Sequence, residues 1–242
     1  MSAMSLRPLL AFDFDGTLAP IVSHPDDARV PIAVARRLDH LSKLLTVAVI
    51  TGRSVADVRD RLGFSPQFVI GNHGAEDPLS DRESDKALLE ELRARLLAAS
   101  ADLEHAGIFV EDKIYSIALH YRLSRDRDRA LELIHSLLGG LGDEVKIFGG
   151  KLVVNVTPTQ APDKAEAVAS VVRRSQSSGA VFLGDDLNDE PVFSRQEPTW
   201  LTVRVGCDYP GTQAKFFLNG PSEVASLLDR MLTLLSSNHP PA

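Results

Sequence analysis

Apolar and polar positions change their spacing along the chain, and the changes divide it. In the first third, short apolar runs predict buried strands at Leu9 to Phe14, Thr46 to Thr51 and Gln67 to Gly71. Between them Ile32, Val34, Leu38, Leu41 and Leu45, then Val55, Val58 and Leu62, recur at helical spacing. Such alternation builds a parallel sheet with helices on its faces. After Glu76 the pattern differs. A charged helix is predicted from about Ser84 to His105, with Leu88, Leu89, Leu92, Leu96 and Leu97 as its apolar face. Strands at Ile108 to Glu111 and Tyr115 to Tyr121 follow, then a helix from Arg127 to Leu138 and a hairpin around Phe148-Gly149-Gly150-Lys151. From Lys164 the first pattern returns: a helix through Val172, strands at Ala180 to Gly184, Trp200 to Val205 and Lys215 to Leu218, and a last helix from Pro221 to about Leu235. The tail SSNHPPA carries no periodicity and is expected to lack structure.

The expected fold is α/β: a Rossmann-like parallel-sheet core, residues 1–79 and 158–242, interrupted by an inserted α+β cap domain, residues 80–157. The chain has 242 residues, 44% hydrophobic and 24% charged, enough to bury such a core. No apolar run approaches the roughly 18 residues of a membrane span. The run Leu9 to Phe12 is too short for the apolar stretch of a signal peptide, and a cytoplasmic protein is expected. Cys207 is the single cysteine, which excludes an internal disulfide and a thiolate zinc site. A net charge of −7 argues against nucleic acid or an anionic membrane as partner. An anionic ligand would need a metal or a few local cations to hold it.

Four strings carry candidate chemistry. Asp13-Phe14-Asp15-Gly16-Thr17 follows the first strand, and in an open parallel sheet the carboxyl ends of the strands face the ligand. A DxD string also occurs as the metal site of nucleotide-sugar glycosyltransferases. Thr51-Gly52-Arg53 ends the second strand, bringing a hydroxyl and a guanidinium to the same edge. Asp163-Lys164 opens the helix after the cap, and Gly184-Asp185-Asp186-Leu187-Asn188-Asp189 ends the next core strand with further carboxylates. Each alone is a turn, a cap or a surface lysine; the glycosyltransferase reading leaves Thr51, Lys164 and Asp185 unexplained.

In this order the four strings resemble the signature motifs of haloacid-dehalogenase-like hydrolases, most of them Mg²⁺-dependent phosphatases. The resemblance implies Asp13 as nucleophile, Asp15 as general acid/base, Thr51 and Lys164 as phosphate ligands, and Mg²⁺ held by Asp13, Asp185 and the backbone at Asp15. Gly71-Asn72-His73-Gly74-Ala75-Glu76, Glu111-Asp112-Lys113, Leu119-His120-Tyr121-Arg122 and Gly150-Lys151-Leu152-Val153-Val154 resemble motifs of the trehalose-6-phosphate phosphatase branch. That likeness implies sugar contacts from Glu111, Lys113, Arg122 and Lys151 in the cap, with Arg53 and His73 on the core side. Where the branch has a glutamate that binds sugar hydroxyls, this chain has Asn155, and Thr157 replaces the following basic residue.

The implied reaction is hydrolysis of trehalose 6-phosphate through an aspartyl-phosphate. The alternatives are hydrolysis of another sugar phosphate (sucrose or hexose phosphate), phosphoryl transfer of the phosphomannomutase type, and a non-catalytic sugar-phosphate sensor. Whether the chain works alone or with a trehalose-phosphate synthase stays open. His73 and Glu76 are too few for zinc and read as sugar-binding or structural. His120, on an alternating strand, reads equally as packing or as a ligand on the cap face.

Overall fold

The computed structural model describes residues 7–79, 87–150 and 152–237, and these divide into two compact units, with the boundaries between Asp77 and Pro78 and between Ala161 and Pro162. In the first, strands β1 (Leu9–Phe12), β2 (Val47–Ile50), β3 (Phe68–Ile70), β8 (Ala180–Gly184), β9 (Trp200–Val205) and β10 (Phe216–Leu218) make a parallel sheet in the order β10-β9-β8-β1-β2-β3. Alternate side chains point to opposite faces of a strand, and here both faces are covered. Leu10 and Phe12 of β1, with Val47, Val49, Val181 and Leu183, pack beside the apolar positions of α1 (Ile32–Ser42), α2 (Val55–Leu62) and α8 (Val224–Ser237). Leu9 and Ala11, with Ala48, Ile50 and Phe182, pack beside α6 (Lys164–Arg174) and α7 (Glu190–Phe193). That is why the strands read as unbroken apolar runs.

The chain leaves β1 toward β2 on one side and returns through β8 on the other. The strand order therefore reverses at β1, and ligands of open α/β sheets bind at such a switch point. Two helix starts are fixed there by side chains. Ser54 caps α2 by accepting from Asp57 N at 3.2 Å. Asp163 and Glu166 form a capping box at α6, with bonds of 2.9 and 3.1 Å.

The second unit sets helices α3 (Glu90–Ala98), α4 (Ser100–His105) and α5 (Arg127–Leu138) against a four-stranded antiparallel sheet. Its strands are β4 (Phe109–Asp112), β5 (Ile117–His120), β6 (Val145–Gly150) and β7 (Val153–Pro158), in the order β4-β5-β7-β6.

The helix expected over 84–105 is two helices, broken at Ala99, whose φ and ψ of −94° and 11° end α3; residues 80–86 lie outside the described ones. Leu89, Leu92 and Leu96 are buried as expected, but Leu97 is 76% exposed because it falls on the outer side of α3. The strand expected from Tyr115 begins at Ile117, after a turn in which Ile114 takes φ 70°. Of the tail expected to lack structure, Ser236 and Ser237 close α8, and residues 238–242 are outside the described ones. Among the described residues, no helix is long and apolar enough to cross a membrane.

Candidate active site

Asp13 leaves the end of β1 with its N–H donating to Leu183 O at 2.8 Å, so the ladder to β8 holds its backbone. Its side chain is buried. Lys164, first residue of α6, is buried too, and its Nζ donates to Asp13 Oδ1 at 2.8 Å and to Asp189 Oδ1 at 2.7 Å. Asp189 Oδ2 accepts from Asp186 N at 3.0 Å, fixing the turn that follows β8. Asp185 precedes that turn and accepts from Thr17 Oγ1 at 3.4 Å. Asp13, Asp185 and Asp189 each bring an oxygen within 4.8 Å of the others. One ammonium faces three carboxylates, leaving excess negative charge in a poorly solvated place. Burial, then the neighbouring Asp13 and Asp189 carboxylates, push Asp185 up to about 9. Burial pushes Asp13 up to about 7 against the pull of Lys164, and the two carboxylates outweigh burial to raise Lys164 above its ordinary value.

A hard divalent cation fits this donor set. Its oxygens are all carboxylate, as Mg²⁺ prefers, and Asp13, Asp185 and Asp189 each bring one to the same small space. Gly16 makes room for the approach: its φ is +77°, and a Cβ there would lie 2.0 Å from Asp185 Oδ2.

Asp15 has a different partner. Arg53 grips its carboxylate with both prongs, Nε at 2.7 Å and Nη2 at 2.8 Å, and lies over the Phe14 ring at 5.2 Å. Arg53 Nη1 also donates to Asp57 at 2.8 Å, and Asp57 accepts from Arg61 Nε at 2.9 Å. Arg61 reaches the Asp26 carboxylate at 3.1 Å. A line of alternating charges thus runs from Asp15 to the surface. The one-turn spacing of 53, 57 and 61 was visible in the sequence, but its junction with Asp15 was not.

Thr51 is buried, and its Oγ1 accepts from Arg53 N at 3.1 Å. His73, in a left-handed conformation with φ 58°, donates its N–H to Thr51 O at 2.9 Å. Its ring lies over Gly52, where a Cβ would come 2.4 Å from His73 Cε1, which ties the two turns together. Glu76 is structural: its Oε2 accepts from Val55 N and Asn72 Nδ2, both at 2.9 Å, pinning the loop to the start of α2.

In the second unit, Glu111 Oε2 lies 2.9 Å from His120 Nε2 and 3.4 Å from Lys113 Nζ. Asn155 is buried on β7, in register with Ala118, which pairs in turn with Glu111. Arg122 lies exposed beyond the end of β5, and Lys151 is outside the described residues.

The model of the trehalose-phosphatase family matches residues 11–222. A protein of Sinorhizobium fredii named "Probable trehalose-phosphate phosphatase" is 38% identical over 217 residues, 85% of this chain and 80% of the relative. The trehalose-phosphate phosphatase of Mycobacterium marinum is 31% identical over 248 residues, 96% of this chain, which spans 63% of that relative's length. The C-terminal domain of Candida albicans trehalose-6-phosphate phosphatase superposes with a TM-score of 0.75 at 24% identity, covering 96% of this chain and 94% of that one. The fold is shared with haloacid-dehalogenase-like hydrolases.

Proposed function

Because this chain belongs to the trehalose-phosphatase family, we propose that it hydrolyses trehalose 6-phosphate to trehalose and phosphate, with Mg²⁺ as cofactor and Asp13 as the nucleophile. One observation carries the reading: Asp13, Lys164, Asp189 and Asp185 converge at the carboxyl ends of β1 and β8, where the strand order reverses.

A phosphate monoester dianion repels an incoming carboxylate, so cations must share the site with Asp13. Bound by the oxygens of Asp13 and Asp185, Mg²⁺ would neutralise charge on the phosphate. Lys164 holds Asp13 at a fixed place and offers its ammonium to the equatorial oxygens, and the Thr51 hydroxyl does likewise. Asp13 attacks phosphorus and forms an aspartyl-phosphate as the sugar oxygen leaves. Asp15 gives its proton to that oxygen, then takes one from the water that hydrolyses the intermediate. Arg53 orients Asp15 between these steps. Asp189 keeps Lys164 in line through its 2.7 Å bond.

Sugar selectivity comes, in this reading, from Glu111, Lys113, Arg122, Lys151 and Asn155 of the inserted domain, with Arg53 and His73 of the core, and the setting is cytoplasmic. Support comes from Glu111, Ala118 and Asn155 standing side by side across three strands.

The test is free phosphate released with Mg²⁺ from trehalose 6-phosphate, sucrose 6-phosphate, glucose 6-phosphate and an aryl phosphate. Trehalose 6-phosphate is expected to give the highest kcat/KM, with no isomeric sugar phosphate formed. Preference for another sugar phosphate, or an isomer in place of phosphate, would overturn the assignment.

A further inference from the structure

The two faces of the antiparallel sheet differ in kind. Val110, Ile117, Leu119, Val154 and Val156 belong to the apolar cluster with α3 and α5. Alternation sends Glu111, Ala118, Asn155 and Phe148 to the other face, where pairing lines them up in one row across β4, β5, β7 and β6. Phe109, His120, Val153 and Gly150 form the adjacent row. Residues diagonal to one another on paired strands are within reach of long side chains. His120 and Glu111 are such a diagonal pair, and their side chains meet at 2.9 Å.

Glu111 is half-buried, and burial alone would push its carboxyl up; the His120 bond and the Lys113 ammonium instead hold it below the ordinary range. An ionised carboxylate only accepts hydrogen bonds, so Nε2 of His120 is the donor. Both the histidine and the lysine contact fall on Oε2. The imidazole is itself held by the Phe109 ring, 6.1 Å away and tilted by 37°. A glutamate has three side-chain torsions, and freezing them before the ligand arrives removes an entropic cost from binding.

We propose that His120 is a positioning residue for sugar recognition: its Nε2–H fixes the Glu111 carboxylate by one oxygen and so aims the other at hydroxyl donors of the disaccharide. This rests on the reading above that Glu111 contacts the sugar. A sugar hydroxyl is a directional donor, and a carboxylate already in place accepts it without reorganising. Glutamine carries a donor nitrogen at a reach similar to Nε2, whereas alanine carries none.

The experiment is steady-state kinetics on trehalose 6-phosphate with His120→Ala, His120→Gln, Glu111→Ala and the Ala/Ala double variant, each checked for an unchanged melting temperature. His120→Ala is expected to raise KM about tenfold with a much smaller change in kcat, as loss of uniform binding requires. His120→Gln is expected to recover KM to within about threefold of wild type. In the Glu111→Ala background, removal of His120 should add less than about twofold, because the two act as one unit. A full tenfold effect of His120→Ala in that background would overturn the inference, since His120 would then touch the sugar itself. So would an unchanged KM in His120→Ala beside a raised KM in Glu111→Ala. An unchanged KM in Glu111→Ala would remove the sugar reading of this face and the inference with it. Should His120→Ala fail to fold, the glutamine variant decides: a tenfold rise in KM there overturns the proposal.

Discussion

Replacing Asp185 by asparagine should make the metal-free protein more stable while abolishing its activity. Asp185 is pushed up to about 9 from an ordinary 3.8. At pH 7 the unfolded chain carries it ionised, while the folded protein keeps a proton on it or bears the repulsion of Asp13 and Asp189. The mismatch spans about three pH units, which at ~1.4 kcal/mol each sets an upper bound of about 4 kcal/mol. The group is partly open to water, and its neighbours relax, so roughly half that is expected, about 2 kcal/mol. In a chain of this size that is a rise of about 4–8 °C in Tm. The assay is a circular-dichroism melt at pH 7 in excess chelator, wild type against Asp185→Asn. Added Mg²⁺ should then raise the wild-type Tm well above its chelated value and leave the variant nearly unmoved. A metal-free variant no more stable than wild type would refute the electrostatic argument. An equal Mg²⁺ response in both would refute Asp185 as a metal ligand.

The wild type without metal should lose stability as pH rises from 5 to 9, because a carboxyl with a raised folded-state pKa stabilises below its unfolded value and ceases to do so as pH climbs through about 7 for Asp13 and about 9 for Asp185; thermal melts along that range, with and without Mg²⁺, check the slope. Lys164→Met leaves two buried carboxylates without their cation and should cost about 3–5 kcal/mol in urea unfolding, with turnover lost. Asp13→Asn should fold normally and retain less than about a hundredth of wild-type kcat, since an amide does not attack phosphorus; a higher rate would exclude Asp13 as nucleophile. Asn155→Glu should lower KM for trehalose 6-phosphate, restoring a charged acceptor for the sugar at about 1.5–3 kcal/mol per bond; a raised KM would mean that this chain's asparagine serves a different sugar.

Much of the frame was legible because burial on both faces leaves a mark in the sequence. Ala180–Gly184, Trp200–Val205 and Arg127–Leu138 take the expected bounds, the strands as unbroken apolar runs and the helix through its period. The helix over 84–105 misled because nothing at Ala99, neither glycine nor proline, announces the break. The cluster around Asp13 could be anticipated because a strand end fixes where a side chain emerges. Which partner a side chain then meets is set across 151 residues for Asp13 with Lys164 and 38 for Asp15 with Arg53, beyond any local pattern. The likeness implies Arg53 as a sugar contact; its bonds to Asp15 and Asp57, which hold the guanidinium in place, have no local mark in the sequence.

The position of β1 in the sheet also bears on how the protein is made. Its hydrogen-bonding neighbours are β2, which begins at residue 47, and β8, which begins at residue 180. A ribosome adding about 5–20 residues per second leaves the β8 side of β1 unpaired for roughly 5–25 seconds after β3 has emerged. Through that interval the nascent chain displays an apolar strand edge, the template on which neighbouring chains pair and aggregate. The inserted unit is contiguous in sequence and can fold while the edge waits, whereas Lys164 and Asp189 arrive only afterwards. A chain stalled after residue 161 but before residue 180 thus holds a complete insert sequence and an open core.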